Sequence, residues 1–355
     1  MKVMIICHLY GLPWNEGVKN MVRVLVEKLT DFGIDVEVYS KGGRGNSRPP
    51  SIKLAPVILA RDLMFWWKAA RWARTQRVEV IHLLSSVTSI LGLKCFIIRI
   101  LSRIPLLLHI TGINRPIFGY NFLLRADRII VGGNYLRKFF PVSVEFNPVS
   151  PYFNPGNAIR PCRLIFNSRP RKILYLGAME AVRGVHTLVD AVAELKTRFG
   201  LEDFSITIAW NGYGDLDYVR KVRKKIAAYR IQKHFQWNQL ANDVPGLYQG
   251  HDFVVIPRDS DERMGIPLRL IEAMSYGKPV IVSDMCEMPK IAEGCGLVFS
   301  SGDSFSLATV LHRFLTDSAF YQQCAQNGYR KASQFHPQRT VPQLVDLYKE
   351  LAHDS

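Results

Sequence analysis

The sequence is short of paired cysteine, of long uninterrupted apolar runs and of acids, and each shortage removes a class of protein. Its six cysteines, Cys7, Cys95, Cys162, Cys286, Cys295 and Cys324, are scattered without a Cys-x-x-Cys pair. That spacing suits reduced thiols in a cytosolic chain better than a disulfide framework or zinc ligands. No cleavable leader is expected, because Met1-Lys-Val-Met-Ile-Ile-Cys7 reads as a strand from its start and lacks the length and exit site of a signal segment. Periods of about 20–50 residues, the mark of a solenoid, are missing. So are helix-turn-helix, zinc-finger and aromatic RNA-binding signatures, which leaves no nucleic-acid partner expected despite the basic charge.

The acid shortage is local. The chain carries 46 Lys and Arg against 30 Asp and Glu, a net charge of +16. Residues 61–140 hold thirteen of those cations and only three acids, Asp62, Glu79 and Asp127. Within this region, Asp62–Arg74 and Ser89–Arg103 mix aromatic and aliphatic residues with spaced cations, as helices at a membrane surface do. Charges every four or five residues exclude a transmembrane span in the second stretch. Two readings stay open: docking to an anionic membrane surface on the cytoplasmic face, or an apolar side turned to the core with cations at its wet edge.

What is present is enough for two cores. A chain of 355 residues, 48% of them hydrophobic, exceeds the size at which one core keeps growing. Apolar runs of strand length alternate with helical periodicity, which predicts βαβ units and parallel sheets. Strands are expected at 2–7, 35–40, 80–84, 106–110 and 128–131, with a helix from Val18 to Phe32, giving the first sheet at least five members. The Pro- and Asn-rich passage Phe146–Gly156 disfavours both helix and strand. Beyond it, strands at 172–176, 205–210, 234–237, 253–256 and 280–283 and helices at 184–199 and 215–229 repeat the pattern. The expectation is α/β: residues 1–160 and 161–335 as two doubly wound domains, and 336–355 as a terminal helical segment.

The run from Arg258 to Asp284 carries the most chemistry. A loop through Gly265-Ile266-Pro267 can present backbone N–H groups, and the helix beginning beside it adds the positive end of its dipole, a setting for an anionic diphosphate. Glu272 falls inside that helix, where a carboxylate can accept two hydrogen bonds from a vicinal diol. Gly277-Lys-Pro279 then stops the helix before a core strand at Val280–Val282. The plainer alternative is ordinary Gly-Pro punctuation with a solvated Glu272.

This run resembles the nucleotide-sugar signature of retaining glycosyltransferases of family 4, the glycosyl transferases group 1, which have the GT-B fold. The usual form, Glu, seven residues, Glu, is broken here: Met264 stands eight residues before Glu272. Gly265-Ile266-Pro267-Leu-Arg269-Leu-Ile-Glu272 instead resembles the variant Gly-x-Pro-x-(Lys/Arg)-x-x-Glu. The resemblance implies two Rossmann-like domains facing across a cleft, with the last helix crossing back to the first domain. It implies donor-binding roles for Gly17, Arg183, Gly265, Ile266, Arg269 and Glu272, with Glu272 on the ribose and Arg183 on the diphosphate. His109 is expected near the transferred sugar, sharing a strand face with Thr111, and Glu262 is the candidate for the missing first carboxylate. At Gly177-Ala178, Ala replaces the family's first diphosphate cation, a charge that Arg258 or Arg269 would have to supply.

The activity implied is transfer from a nucleotide-diphosphate sugar to a hydroxyl, with retained anomeric configuration and a lipid-linked or membrane-bound glycan acceptor. Two Asp-x-Asp triplets, Asp215-Leu-Asp217 and Asp259-Ser-Asp261, are too small a donor set for Mg²⁺, so neither a metal nor another cofactor is expected. A nucleotide-sugar epimerase of the same fold and a non-catalytic nucleotide-sugar-binding protein are the alternatives.

Overall fold

The computed structural model describes residues 1–8, 17–40, 55–113, 124–147, 150, 152–153, 171–210, 212, 214–239, 243–260 and 267–354. These form two compact units, one of Met1–Pro151 with Phe335–Ser355, the other of Tyr152–Asp261 with Pro267–Gln334.

In chain order the first unit contains β1 (Lys2–Cys7), α1 (Gly17–Asp31), β2 (Asp35–Ser40), α2 (Ala55–Thr75), β3 (Val80–Val87), α3 (Leu91–Ser102), β4 (Leu106–Ile113), β5 (Arg128–Val131), α4 (Asn134–Arg137) and β6 (Val144–Glu145). The second contains β7 (Arg171–Leu176), α5 (Val185–Phe199), β8 (Phe204–Trp210), α6 (Leu216–Ala228), β9 (Phe235–Gln239), α7 (Val244–Gly250), β10 (Phe253–Ile256), α8 (Leu268–Ser275), β11 (Val280–Ser283), α9 (Met288–Ala292), β12 (Gly296–Phe299), α10 (Ser304–Thr316) and α11 (Ser318–Ala332). The chain closes with α12 (Pro337–His353), which belongs to the first unit.

The first sheet has six strands in the order β2-β1-β3-β4-β5-β6, and its neighbouring strands pair in parallel. Covered strands of a parallel sheet must be apolar on both faces, which is why Val3, Met4, Ile5 and Ile6 are all buried. Met21, Val22, Leu25 and Leu29 of α1 join one face, together with Val341, Leu344, Val345, Tyr348 and Leu351 of α12. Those spacings of three and four place one stripe of each helix on the sheet. The opposite face takes Trp66, Ala69 and Ala73 of α2 and Leu91, Cys95 and Ile98 of α3.

The second sheet is also parallel, in the order β12-β11-β10-β7-β8-β9. Its chain runs outward from β7 through β8 to β9, then crosses to β10 and runs outward the other way. The order therefore reverses between β7 and β10, and in open α/β sheets the strand carboxyl ends at such a reversal form the usual ligand site. The strands β6 and β12 and the helices α4, α7, α9, α10 and α11 add to what periodicity predicts. β6 and β12 are two and four residues long, too short to show a period.

Candidate functional site

The loops leaving β7 and β10 meet at the reversal point. The Asp259 N–H donates to the Val182 carbonyl at 3.2 Å. Gly184 has φ of +69°, and a Cβ built on it would lie 1.5 Å from the Pro257 carbonyl oxygen. Only glycine fits both the left-handed backbone and that approach. Asp259 fastens the junction further, accepting from Thr187 Oγ1 at 2.9 Å and the Gly302 N–H at 3.1 Å, with His186 Nε2 at 3.1 Å. Gly184 also serves as N-cap of α5 without a side-chain cap, so the positive end of a 15-residue helix opens here.

This junction brings Arg183 beside Arg258. Arg183 closes a short 3₁₀ turn, Ala181–Arg183, and its Nε lies 3.8 Å from Glu180. Arg258 is only 2% exposed, and its Nε donates to the Ser260 carbonyl at 2.6 Å. Burial, and then Arg183 nearby, push the Arg258 guanidinium down to about 10, which leaves it charged at neutral pH. Both arginines, with Arg269 of α8, act on the buried Tyr175, whose hydroxyl is pushed up to about 12, foremost by burial. Tyr175 donates to the Ala178 carbonyl at 2.7 Å. The positive charge of the three arginines is thus felt beside the turn at Gly177-Ala178, where Ala178 itself supplies none.

Glu272 is not a solvated helix residue. It is 3% exposed, and Tyr248 of α7 donates its hydroxyl to Oε2 at 2.7 Å. Tyr248 stacks on Tyr276 at 5.2 Å, and burial followed by the Glu272 charge keeps its phenol protonated far above the usual range. The positive charge of Arg269 offsets a small part of the rise at both Tyr248 and Tyr175. A tyrosine-held carboxylate keeps lone pairs for a further donor. The helix ends where the sequence places its stop: Gly277 has φ of +65°, its N–H donates to Met274, and the Lys278 N–H donates to Ala273. That 5→2 and 6→1 pair is a Schellman stop.

Glu262, Gly265 and Ile266 lie outside the described residues, and Gly17 opens α1. His109 sits in the first unit, 2% exposed, on a face closed by Phe146 and α12. Its Nδ1 is 3.3 Å from His82 Nε2, and His82 Nδ1 is 2.6 Å from the Tyr348 hydroxyl. Burial drives the pKa of His82 well down and that of His109 to about 4, so both rings are neutral at pH 7. With Nδ1 engaged by His82, Nε2 is the His109 nitrogen that can address a ligand. Thr111 shares that face nearer the strand end, 3.4 Å from Ser86 Oγ.

The Asp-x-Asp triplets serve as struts. Asp215 caps α6 by accepting from the Asp217 N–H, Asp217 pairs with Arg220, and Asp259 ties loops as described. Among the described residues, no group of three or more His, Cys, Asp or Glu could hold a metal ion. Sequence reasoning missed Tyr248, Tyr175, His82 and Tyr348. Tyr248, His82 and Tyr348 meet partners 24 to 266 positions away, and Tyr175 bonds a backbone carbonyl three residues on, contacts that any side-chain pattern leaves unmarked.

Residues 163–331 match the family described as Glycosyl transferases group 1, the group identified from the Gly265–Glu272 pattern. O-antigen chain mannosyltransferase B of Escherichia coli is 25% identical over 178 residues, which are 50% of this chain and 45% of that protein. The chain thus spans about half the length of the curated relatives it matches. Sucrose-phosphate synthase from Thermosynechococcus elongatus superposes with a TM-score of 0.76 at 18% identity, covering 100% of both chains. Anabaena HepE in complex with UDP and glucose superposes with a TM-score of 0.73 at 17% identity, covering 99% of this chain and 100% of that one. The fold class is therefore the one the sequence predicts, α/β of the GT-B type with two Rossmann-like units.

Proposed function

We propose that the protein transfers a sugar from a nucleotide-diphosphate donor to a hydroxyl group, with retention of anomeric configuration. The observation that carries this reading is the hydrogen-bonded junction of the β7 and β10 loops, which brings the segments bearing Arg183 and Arg258 together at the strand-order reversal of the second unit, with Arg269 and the buried Glu272 on the helix that follows β10. The family match over 163–331 and the UDP bound by HepE support a nucleotide sugar as ligand.

In this reading Glu272, held by Tyr248, accepts from the ribose diol. Arg183, Arg269 and the backbone at Gly265 and Ile266 take the diphosphate, and Gly17 leaves room for the phosphates to approach. As the bond to the sugar breaks, negative charge grows on the diphosphate, and fixed cations stabilise it where other enzymes use a metal ion. His109, through Nε2, and Glu262 are assigned to the transferred sugar. The first unit takes the acceptor, a lipid-linked or membrane-associated glycan, in keeping with its basic surface.

The test incubates purified protein with membranes and a panel of labelled nucleotide sugars, with and without EDTA. Label from one donor should enter the lipid phase, at a rate EDTA leaves unchanged. Product formed without acceptor would instead indicate an epimerase, and donor binding with no turnover a binding protein. Loss of transfer on chelation would remove the metal-free mechanism.

A further inference from the structure

The two basic, aromatic stretches of the first unit part ways in the structure. In α3 the cations are engaged within the unit: Arg99 pairs with Asp127 at 2.8 Å, and Lys94 lies 5.3 Å from the Trp66 ring centre and 3.4 Å from Thr88 Oγ1. In α2 they are not. Trp66, Ala69, Ala70 and Ala73 form its buried stripe, while Met64, Trp67, Lys68, Arg71, Trp72 and Thr75 form an outer stripe at the same helical spacing. Met64 is 55%, Trp67 42% and Trp72 44% exposed. A water-facing stripe has no use for two indoles and a methionine.

The chemistry of this stripe is that of a bilayer interface. Arg71 lies over the Trp67 ring at 4.8 Å, and Trp72 donates its indole N–H to Glu37. Glu37 is itself balanced by Lys2 at 3.3 Å, so the face stays basic. Arg61, Lys68, Arg74 and Arg77 are exposed around it, and no ion pair to an acid among the described residues engages them. Tyr39, Trp67, Lys68, Arg71 and Trp72 line a shallow concavity of about 560 Å³, a size that admits a lipid headgroup. Among the described residues no helix is long and apolar enough to cross a membrane, so the contact is one of lying on the surface.

We infer that the outer stripe of α2 docks on an anionic phospholipid bilayer, its indoles at headgroup depth and Lys68 and Arg71 on lipid phosphates. This goes beyond the transfer reading and is measured without donor or acceptor, so either can fail alone.

The full-length protein is sedimented with phosphatidylcholine vesicles and with mixed phosphatidylcholine–phosphatidylglycerol vesicles. Binding should appear with the mixed vesicles and be accompanied by a blue shift of tryptophan emission. Lys68→Ala with Arg71→Ala should weaken it about thirtyfold, since each basic residue at the surface contributes a factor of about five. Trp67→Phe with Trp72→Phe should abolish the blue shift while leaving the fold intact by circular dichroism. Lys221→Ala with Lys224→Ala on α6, an equal charge loss elsewhere, should change binding much less. Equal binding to both vesicle types, an equal loss in the α6 variant, or an effect of the α2 substitutions on duplex DNA retention but not on vesicles would overturn the inference.

Discussion

At the scale of single residues, the buried histidine pair gives the clearest pH signature. His82 and His109 are neutral in the folded protein, with pKa values lowered from the ordinary 6.5, that of His109 to about 4. An unfolded chain takes up protons on both rings as pH falls below about 6.5 while the folded one does not. Stability is therefore full above that value and declines as pH falls from about 6.5 towards 4. Denaturant midpoints across this window should drop for the native protein, and with a shallower slope in His82→Gln than in the parent; a flat profile in the parent would contradict the assignment. Neither the pair nor its link to Tyr348 is legible in the sequence. His82 and Tyr348 are 266 positions apart, and only the return of α12 makes them neighbours. Glu272 is a mixed case: its place in a motif is legible, but its burial and its Tyr248 partner are not, because α7 has no pattern that points at α8.

At the scale of elements, the meeting of the β7 and β10 loops depends on one glycine. Gly184→Ala places a methyl group against the Pro257 carbonyl and strains a left-handed backbone, so the loops must separate. The variant should lose about 3 kcal/mol or more of stability in the second unit, by analogy with the larger mutational costs known. It should also lose nucleoside diphosphate affinity, read by calorimetry; unchanged affinity would show that the junction does not shape the site. Element prediction succeeds where burial is complete on both faces, as in β1, β5, β10 and β11, and where glycine ends a helix, as at Gly277. It stops short at α10 and α11. Their buried stripes are there, Leu307, Ala308, Leu311 and Phe314, then Tyr321, Cys324, Ala325 and Ala332, but they lie beyond the last predicted strand, where the βα alternation gives no frame for them.

At the scale of the whole molecule, two units with separate cores are joined in sequence yet not divided at one point, because α12 follows the second unit and packs in the first. Removing the fully buried Tyr348 ring by Tyr348→Ala should cost about 3–5 kcal/mol. In a two-domain chain that loss need not be shared. Calorimetry should show the transition of the first unit lowered more than that of the second, and equal displacement of both would argue against the assignment of α12. The α/β class is legible from alternation alone, and the proposed donor region rests on one eight-residue pattern. The surroundings of that region are not legible, since Arg258 comes beside Arg183 through a contact between loops that lie 77 positions apart, Asp259 to Val182.

The account turns on the second unit holding a nucleoside diphosphate by Glu272 and arginines. Calorimetric titration of the full-length protein with a panel of nucleoside diphosphates, in EDTA, tests it most directly. One of them should bind, and Glu272→Gln should weaken it about tenfold to a hundredfold, the range for a lost charged hydrogen bond. A panel without any binder, or a Glu272→Gln variant that binds as tightly as its parent, would contradict it.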